Sequence, residues 1–395
     1  MNTLPPFVLM QNVIQDYAWG STTSVNQLFG IPNPDNKPQA EIWMGAHPNG
    51  CSQITLDGET VRLDEVINQD KTVILGERTE QRFNELPYLF KVLAAEKALS
   101  IQVHPSKQAA EMGFEKENQA GIDLKAGNRN YKDPNHKPEL VFALTPYQAM
   151  NGFRDFADII RMFEAVNAPS LTAYVEALKA NQTAEGLSQF FEAMLSLTGE
   201  AKDSALAALH AHAEEHKGDE LADLLLDLEQ QYPGDVGLFA PLMLHTVTLQ
   251  PGEAMFLDAC TPHAYIKGTG LEIMANSDNV LRAGLTPKYM DVPELIANTI
   301  CQPKPQNEIL LAPQVVGNAQ HYPIPVEDFK FSVYNQDANI ECQSAEIIFA
   351  IDQDVTLLHA DGSELTLNKG QSAFIPFSAK AYQVKSQGKF ARAYN

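Results

Sequence analysis

Positive charge is scarce in this chain of 395 residues: 28 lysines and arginines stand against 50 aspartates and glutamates, a formal net charge of −22. So acidic a surface repels nucleic acid and anionic membranes, and neither is expected as a partner. Cysteine is scarce too. Cys51, Cys260, Cys301 and Cys342 lie far apart with no Cys-x-x-Cys pair, which argues against a disulfide scaffold and for free thiols in a reducing compartment. No apolar run is long enough to span a bilayer. The opening residues lack both a basic start and a small-residue cleavage site, so the expected location is the cytoplasm. A Gly-x-x-x-x-Gly-Lys loop is also missing, which disfavours nucleotide chemistry and a bifunctional enzyme with a nucleotidyl-transfer half.

What the chain does have is concentrated in three stretches. Met255–Lys288 packs His263, Glu272, Asp278, Arg282 and Lys288 among strand-like runs and turn residues, with Gly268, Gly270 and Gly284 reading as turns. In Ser100-Ile101-Gln102-Val103-His104 polar and apolar residues alternate at strand spacing, so Gln102 and His104 project together while Ile101 and Val103 point to a core. Tyr131–Leu140 holds His136, Lys137 and Glu139 between prolines and an apolar run. A glutamine, a glutamate and two histidines from three segments can form one metal site. Zinc suits imidazole and carboxylate donors at about 2.0–2.2 Å, and manganese and iron accept the same donors. Each member also has a bland alternative: His104 as a satisfied core histidine, Glu139 as a surface acid. Cys260, three residues before His263, is either a soft ligand or a small buried hydrophobe.

The length suggests two or three domains. Residues 4–100 mix short strands with turns, and Ser52–Leu56 before Asp57-Gly58 reads as a hairpin arm. From Arg154 to Tyr232 the period changes to helical, with Phe156, Ile159, Ile160 and Phe163 on one face, then Leu187, Phe190, Phe191, Met194 and Leu195, then Leu221, Leu224, Leu225 and Leu228. Four or five helices are expected there. His210, His212 and His216 fall on a solvated helix face. Further on, Leu249-Gln-Pro-Gly252 leads to Phe256 and Ala264-Tyr265, while Leu367-Asn-Lys-Gly370 leads to Phe374 and Ala381-Tyr382. The pair reads as two copies of one strand-turn-strand unit, with Lys380 in the place of His263 and no second glutamate expected opposite it. Such spacing fits cupin-like jelly rolls. The expected fold is mainly β with an α-helical insertion, two cupin-like barrels plus a helical domain. Its segments are a catalytic barrel over 1–151 and 236–312, the insertion over 152–235, and a metal-free C-terminal barrel over 313–395.

The runs YKDPNHKPE and HAYIKGTGLEIMANSDNVLRAGLTPK, with Tyr17-Ala18-Trp19-Gly20, Ala40-Glu41-Ile42-Trp43 and the QVHP stretch, resemble type I mannose-6-phosphate isomerases (phosphomannose isomerases) from Asn12 to about Glu294. The resemblance implies Gln102, His104, Glu139 and His263 as ligands of one zinc ion per subunit and Arg282 as an active-site arginine. It further implies Lys137, Glu272, Asp278, Tyr265, Trp19, Lys91 and Ser100 around a sugar phosphate pocket. The implied reaction interconverts mannose 6-phosphate and fructose 6-phosphate through an enediol, and His136, Lys137 and Glu272 are the candidate proton carriers. An anionic substrate in an acidic protein needs a local positive pocket, which Arg282, Lys288, Lys137 and Lys91 can supply. The chain is expected to be a monomer. Competing expectations are a non-catalytic, metal-containing cupin that binds a sugar phosphate, and an isomerase of a different sugar phosphate.

Overall fold

The computed structural model describes residues 4–395. At its centre lies one long strand, His263–Ala275. Its first half pairs with Tyr147–Phe153 and, at His263, with Gln102. Its second half pairs on one side with Tyr88–Ala95 and on the other with Glu139–Ala143. Glu41–Met44 and Val13–Gln15 extend the sheet beyond Tyr88–Ala95, while Leu244–Leu249 and Ala254–Leu257 complete the barrel. Buried on both faces, Tyr88–Ala95 carries eight residues that are all inaccessible.

Here the turn reading of Gly268 and Gly270 needs correction, because both lie inside the strand. They serve close packing. A Cβ on Gly268, whose φ is +129°, would stand 2.5 Å from the Pro146 carbonyl oxygen, and one on Gly270 would stand 2.8 Å from that of Phe142.

Five α-helices, Phe156–Val166, Thr172–Ala180, Ala184–Leu195, Gly199–Glu215 and Glu220–Gln231, form the insertion. Their apolar faces meet as their spacing predicts: Phe163 packs edge-on against Phe190 at 4.9 Å, and Leu224, Leu225 and Leu228 are buried. His210 pairs with Glu229 on the exposed face. A 3₁₀ turn, Val236–Phe239, and a short helix, Ala240–Met243, carry the chain back to the barrel. No helix among the described residues is long and apolar enough to cross a membrane.

The C-terminal barrel is built from Lys330–Tyr334, Glu346–Ala350, Ser372–Ile375 and Phe390–Tyr394 on one sheet and Ala338–Glu341, Val355–His359, Glu364–Leu367 and Ala381–Ser386 on the other. Val8–Gln11 and the hairpin of Gln53–Leu56 with Glu59–Arg62 extend its first sheet, Val8 lying opposite Phe374. A shared apolar core then joins the barrels, with Phe90 of the first against Phe331 and Phe349 of the second at about 6 Å. Contrary to expectation, the C-terminal barrel does hold a buried glutamate, Glu346. Burying a carboxylate requires a countercharge, and the side chain of Arg392 provides it.

Candidate metal centre

His263 and Gln102 face each other across neighbouring strands, and Gln102 is also paired with Arg282. His104 follows directly, and Glu139 opens the strand opposite Leu257. This register gathers His104, Glu139 and His263, whose donor atoms all lie within 4.8 Å of one another. All three are buried. Glu139 Oε1 lies 3.4 Å from His104 Nε2, and Glu139 Oε2 lies 3.6 Å from His263 Nε2.

Each ligand candidate is oriented from behind. His104 Nδ1 stands 2.7 Å from the Asn279 carbonyl, and His263 Nδ1 stands 2.8 Å from that of Thr261. Both Nε2 atoms are thereby turned towards the glutamate, the arrangement that fixes a metal-binding tautomer. Tyr265 donates its hydroxyl proton to Glu139 Oε2 at 2.9 Å, and Lys137 Nζ lies 2.9 Å from Oε1. Burial pushes the Glu139 carboxyl up, but Lys137 and the two imidazoles outweigh it and hold the group well below the usual carboxylate range. Burial lowers His104 to about 4, so its imidazole is neutral and ready to donate a lone pair. His104 Nε2 is buried without a hydrogen-bond partner among the described residues. An orphaned nitrogen aimed at a carboxylate and a second imidazole fits a divalent cation.

Above this floor opens a cleft of about 540 Å³ lined by Trp19, Lys91, Ser100, Gln102, Lys137, Asp278, Arg282 and Lys288, among others. A smaller extension holds Glu139, His263, Tyr265 and Glu272. Lys91 is nearly inaccessible, 2.9 Å from Glu272 and 3.5 Å from Glu41, with its ammonium over the Trp43 ring. Burial disfavours its charge, yet the two carboxylates win and raise it. Burial raises Glu272 despite Lys91. Arg282 is partly buried and lowered by that burial, and Lys288 is lowered by burial and by Arg282 and Lys132. Among the described residues neither Arg282 nor Lys288 has a carboxylate partner, so the mouth of the cleft carries unpaired positive charge.

Among the candidate proton carriers, His136 is not brought to the cleft. Its Nε2 lies 3.0 Å from Asp328 Oδ1 of the C-terminal barrel. Lys137 and Glu139 turn inward on this segment, while His136, one residue before Lys137, turns out. Cys260 is half-buried and outside the metal group.

Sequence reasoning missed three residues. Glu41 lines both parts of the cleft and accepts from Trp43 Nε1 at 2.6 Å. Trp43 itself walls the cleft. Asn279, wholly buried, ties Lys132, Asp133 and Asn135 together through its amide while its carbonyl steers His104. The pairing of amide with acid in Ser277-Asp278-Asn279 was the one available hint, since such residues organise turns.

Comparison with known proteins agrees along the chain. Residues 7–156 match the family model for the phosphomannose isomerase type I catalytic domain, 160–244 that for its helical insertion domain, and 318–395 that for the mannose-6-phosphate isomerase cupin domain. The chain is 50% identical over 388 residues to mannose-6-phosphate isomerase of Salmonella typhimurium, spanning 97% of this chain and 98% of that protein. It is 38% identical over 348 residues to the human protein of the same name, covering 80% and 79%. A zinc-bound crystal structure of a mannose 6-phosphate isomerase matches with a TM-score of 0.94 and 49% identity over 99% of this chain and all of the other.

Proposed function

The chain belongs to the type I phosphomannose isomerases, and from that premise we propose that it interconverts mannose 6-phosphate and fructose 6-phosphate through an enediol, with one zinc ion held by Gln102, His104, Glu139 and His263. The observation that carries this reading is the orphaned His104 Nε2 beside Glu139 and His263, which line the inner extension of the cleft, together with the unpaired Arg282 and Lys288 that line the cleft itself. Bound there, zinc would act as a Lewis acid on the sugar oxygens at C1 and C2.

The chain's own groups divide the remaining work. Lys288 takes the phosphate, and the Arg282 guanidinium faces the oxygens on which charge develops, where a preorganised cation is most effective. Trp19 and Asp278 bound the sugar. A base removes the proton from C2 of the open-chain aldose, the C–H electron pair forms the C1=C2 bond, and O1 gains a proton. In the second half O2 loses its proton, the double bond becomes C2=O, and C1 receives a proton. Glu272 is the assigned carrier, because burial moves its carboxyl up towards working pH and Lys91 beside it stabilises the ionised form.

Turnover of mannose 6-phosphate by the zinc-loaded protein in deuterated water tests this. Deuterium should reach C1 of the product, and Glu272→Gln should lower kcat by about 10²-fold or more at unchanged zinc content. If Glu272→Gln is silent and Lys137→Gln is not, the role passes to Lys137. Binding without turnover at full zinc loading would leave a sugar phosphate binder and end the isomerase reading.

A further inference from the structure

The last turn of the helical insertion lies against both rims of the cleft. On one rim Gln231 Oε1 accepts from the Ala98 amide at 2.8 Å, and the Tyr232 hydroxyl donates to the Ala98 carbonyl at 2.5 Å. On the other, Asp235 Oδ1 accepts from the amides of Gly237 at 2.7 Å and Leu285 at 2.8 Å, and its Oδ2 accepts from that of Thr286 at 3.1 Å. Both rims carry cleft-lining residues: Lys97, Leu99 and Ser100 on the first, Leu285 to Lys288 on the second.

The second rim does not hold this shape by local preference. Gly284 has φ +115° and Leu285 φ +52°, the latter a conformation that a leucine adopts only under constraint. Contact there leaves no slack either. A Cβ on Gly237 would lie 2.5 Å from the Leu285 nitrogen, and one on Gly284 would lie 2.5 Å from the Gly237 Cα. Three amide donors on one carboxylate are a strong anchor, and Lys288 is three residues beyond it, with its own amide bonded to Thr286 Oγ1 at 3.1 Å.

We infer that Asp235 is a positioning residue for the phosphate end of the cleft: it pins the left-handed turn at Gly284–Leu285 in the shape that presents Lys288 to the cleft, so Asp235 sets sugar phosphate affinity without itself lining the cleft. The inference rests on the reading of Lys288 as the phosphate contact. Its consequence is specific to binding. Neither the metal group nor Glu272 is bonded to Asp235, so a loosened rim changes KM and leaves the chemical step alone.

Asp235→Ala, Asp235→Asn and Gly237→Ala, each in the full-length zinc-loaded protein, test it through KM and kcat for mannose 6-phosphate, the inhibition constant of inorganic phosphate, zinc content and Tm. In Asp235→Ala and Gly237→Ala, KM and the phosphate inhibition constant should rise together by on the order of tenfold, with kcat within about twofold and zinc content unchanged. Asp235→Asn keeps an oxygen acceptor and should fall between them and wild type, which covers the case in which alanine does not fold. A lowered Tm with KM and phosphate inhibition unchanged overturns the inference, as does an equal loss in kcat. Lys288→Gln separates the layers. If it leaves phosphate inhibition untouched, the phosphate contact itself is wrong; if it weakens inhibition while the Asp235 variants do not, only the positioning role is lost.

Discussion

Glu139 and Glu346 hold the same place in the two barrels. Glu139 lies opposite Leu257 and Glu346 opposite Ile375; one residue on, Leu140 meets Phe256 and Ile347 meets Phe374. Each carboxylate is buried and accepts a tyrosine hydroxyl, from Tyr265 at 2.9 Å in one barrel and Tyr382 at 2.5 Å in the other. Their countercharges differ. In the C-terminal barrel Arg392 Nε and Nη2 reach Glu346 Oε2 at 2.9 and 2.6 Å. In the first, Lys137 covers one oxygen while two imidazoles stand at 3.4 and 3.6 Å, too far for good hydrogen bonds. A buried carboxylate must have a cation near it. A cation tethered to the chain closes the site and makes it core; spacing left between two imidazoles and a carboxylate makes the site a receptor for an ion.

The sharpest way to break the contrast is to remove the ion. Chelation should abolish turnover and zinc should restore it. His104→Ala or His263→Ala should lose zinc together with activity, by about 10³-fold or more, measured as bound zinc and kcat. Full activity in protein verified to be metal-free would sink the assignment.

In the other barrel, Arg392→Ala should leave zinc content and kcat of the folded fraction near wild type while lowering unfolding stability by about 3–5 kcal/mol, because Glu346 is left buried without its countercharge. A silent Arg392→Ala in denaturant melts would mean that Glu346 does not need the tether. Phe374, fully buried, should lose about 3–5 kcal/mol on truncation to alanine. Its register counterpart Phe256 is only partly buried and should lose less; equal losses would contradict the difference in packing.

The zinc-free protein should also show a pH signature of the first barrel. His104 is depressed to about 4 in the folded state from an ordinary value near 6.5, so its contribution is complete above pH 6.5 and lost as pH falls towards 4, about 3 kcal/mol in all. His104→Gln should remove that part of the slope in pH-dependent thermal melts. The smallest effect belongs to Lys380→His. Lys380 is exposed and lies over the Phe377 ring, and the buried Glu346 of this barrel is already paired with Arg392, so the variant should recruit no metal and shift Tm by less than about 2 °C. A second bound zinc would show that the Glu346 site is open after all.

Much of this was legible before any coordinates. The helical insertion announced itself through the 3.6-residue spacing of Ile159, Ile160 and Phe163. The hairpin after Ser52 followed from Asp57-Gly58, both with positive φ. The duplicated unit was visible in Gly252–Phe256 and Gly370–Phe374, and the register bears it out. Glu346 was overlooked because nothing in Glu346-Ile-Ile-Phe-Ala distinguishes a buried acid from an acid at a strand end. Asn279 and Glu41 were missed because their work is done through a carbonyl or against another side chain. His136 was grouped with Lys137 and Glu139 because adjacency in sequence says nothing of side-chain direction outside a regular strand.

The sequence by itself determined the class of fold, the scarcity of positive charge that makes a local cationic pocket necessary, and the supply of metal-ligating side chains, since composition, period and local motif are properties of neighbours along a chain. Tertiary structure decided which of those side chains meet. Strand register put His263 beside Gln102, one long strand carried Glu272 to Lys91, and Asp235 reached across from the insertion to the Leu285 turn. Each joins residues tens to hundreds of positions apart, and the free energy of such contacts depends on distance and burial, neither of which is written in the order of the residues.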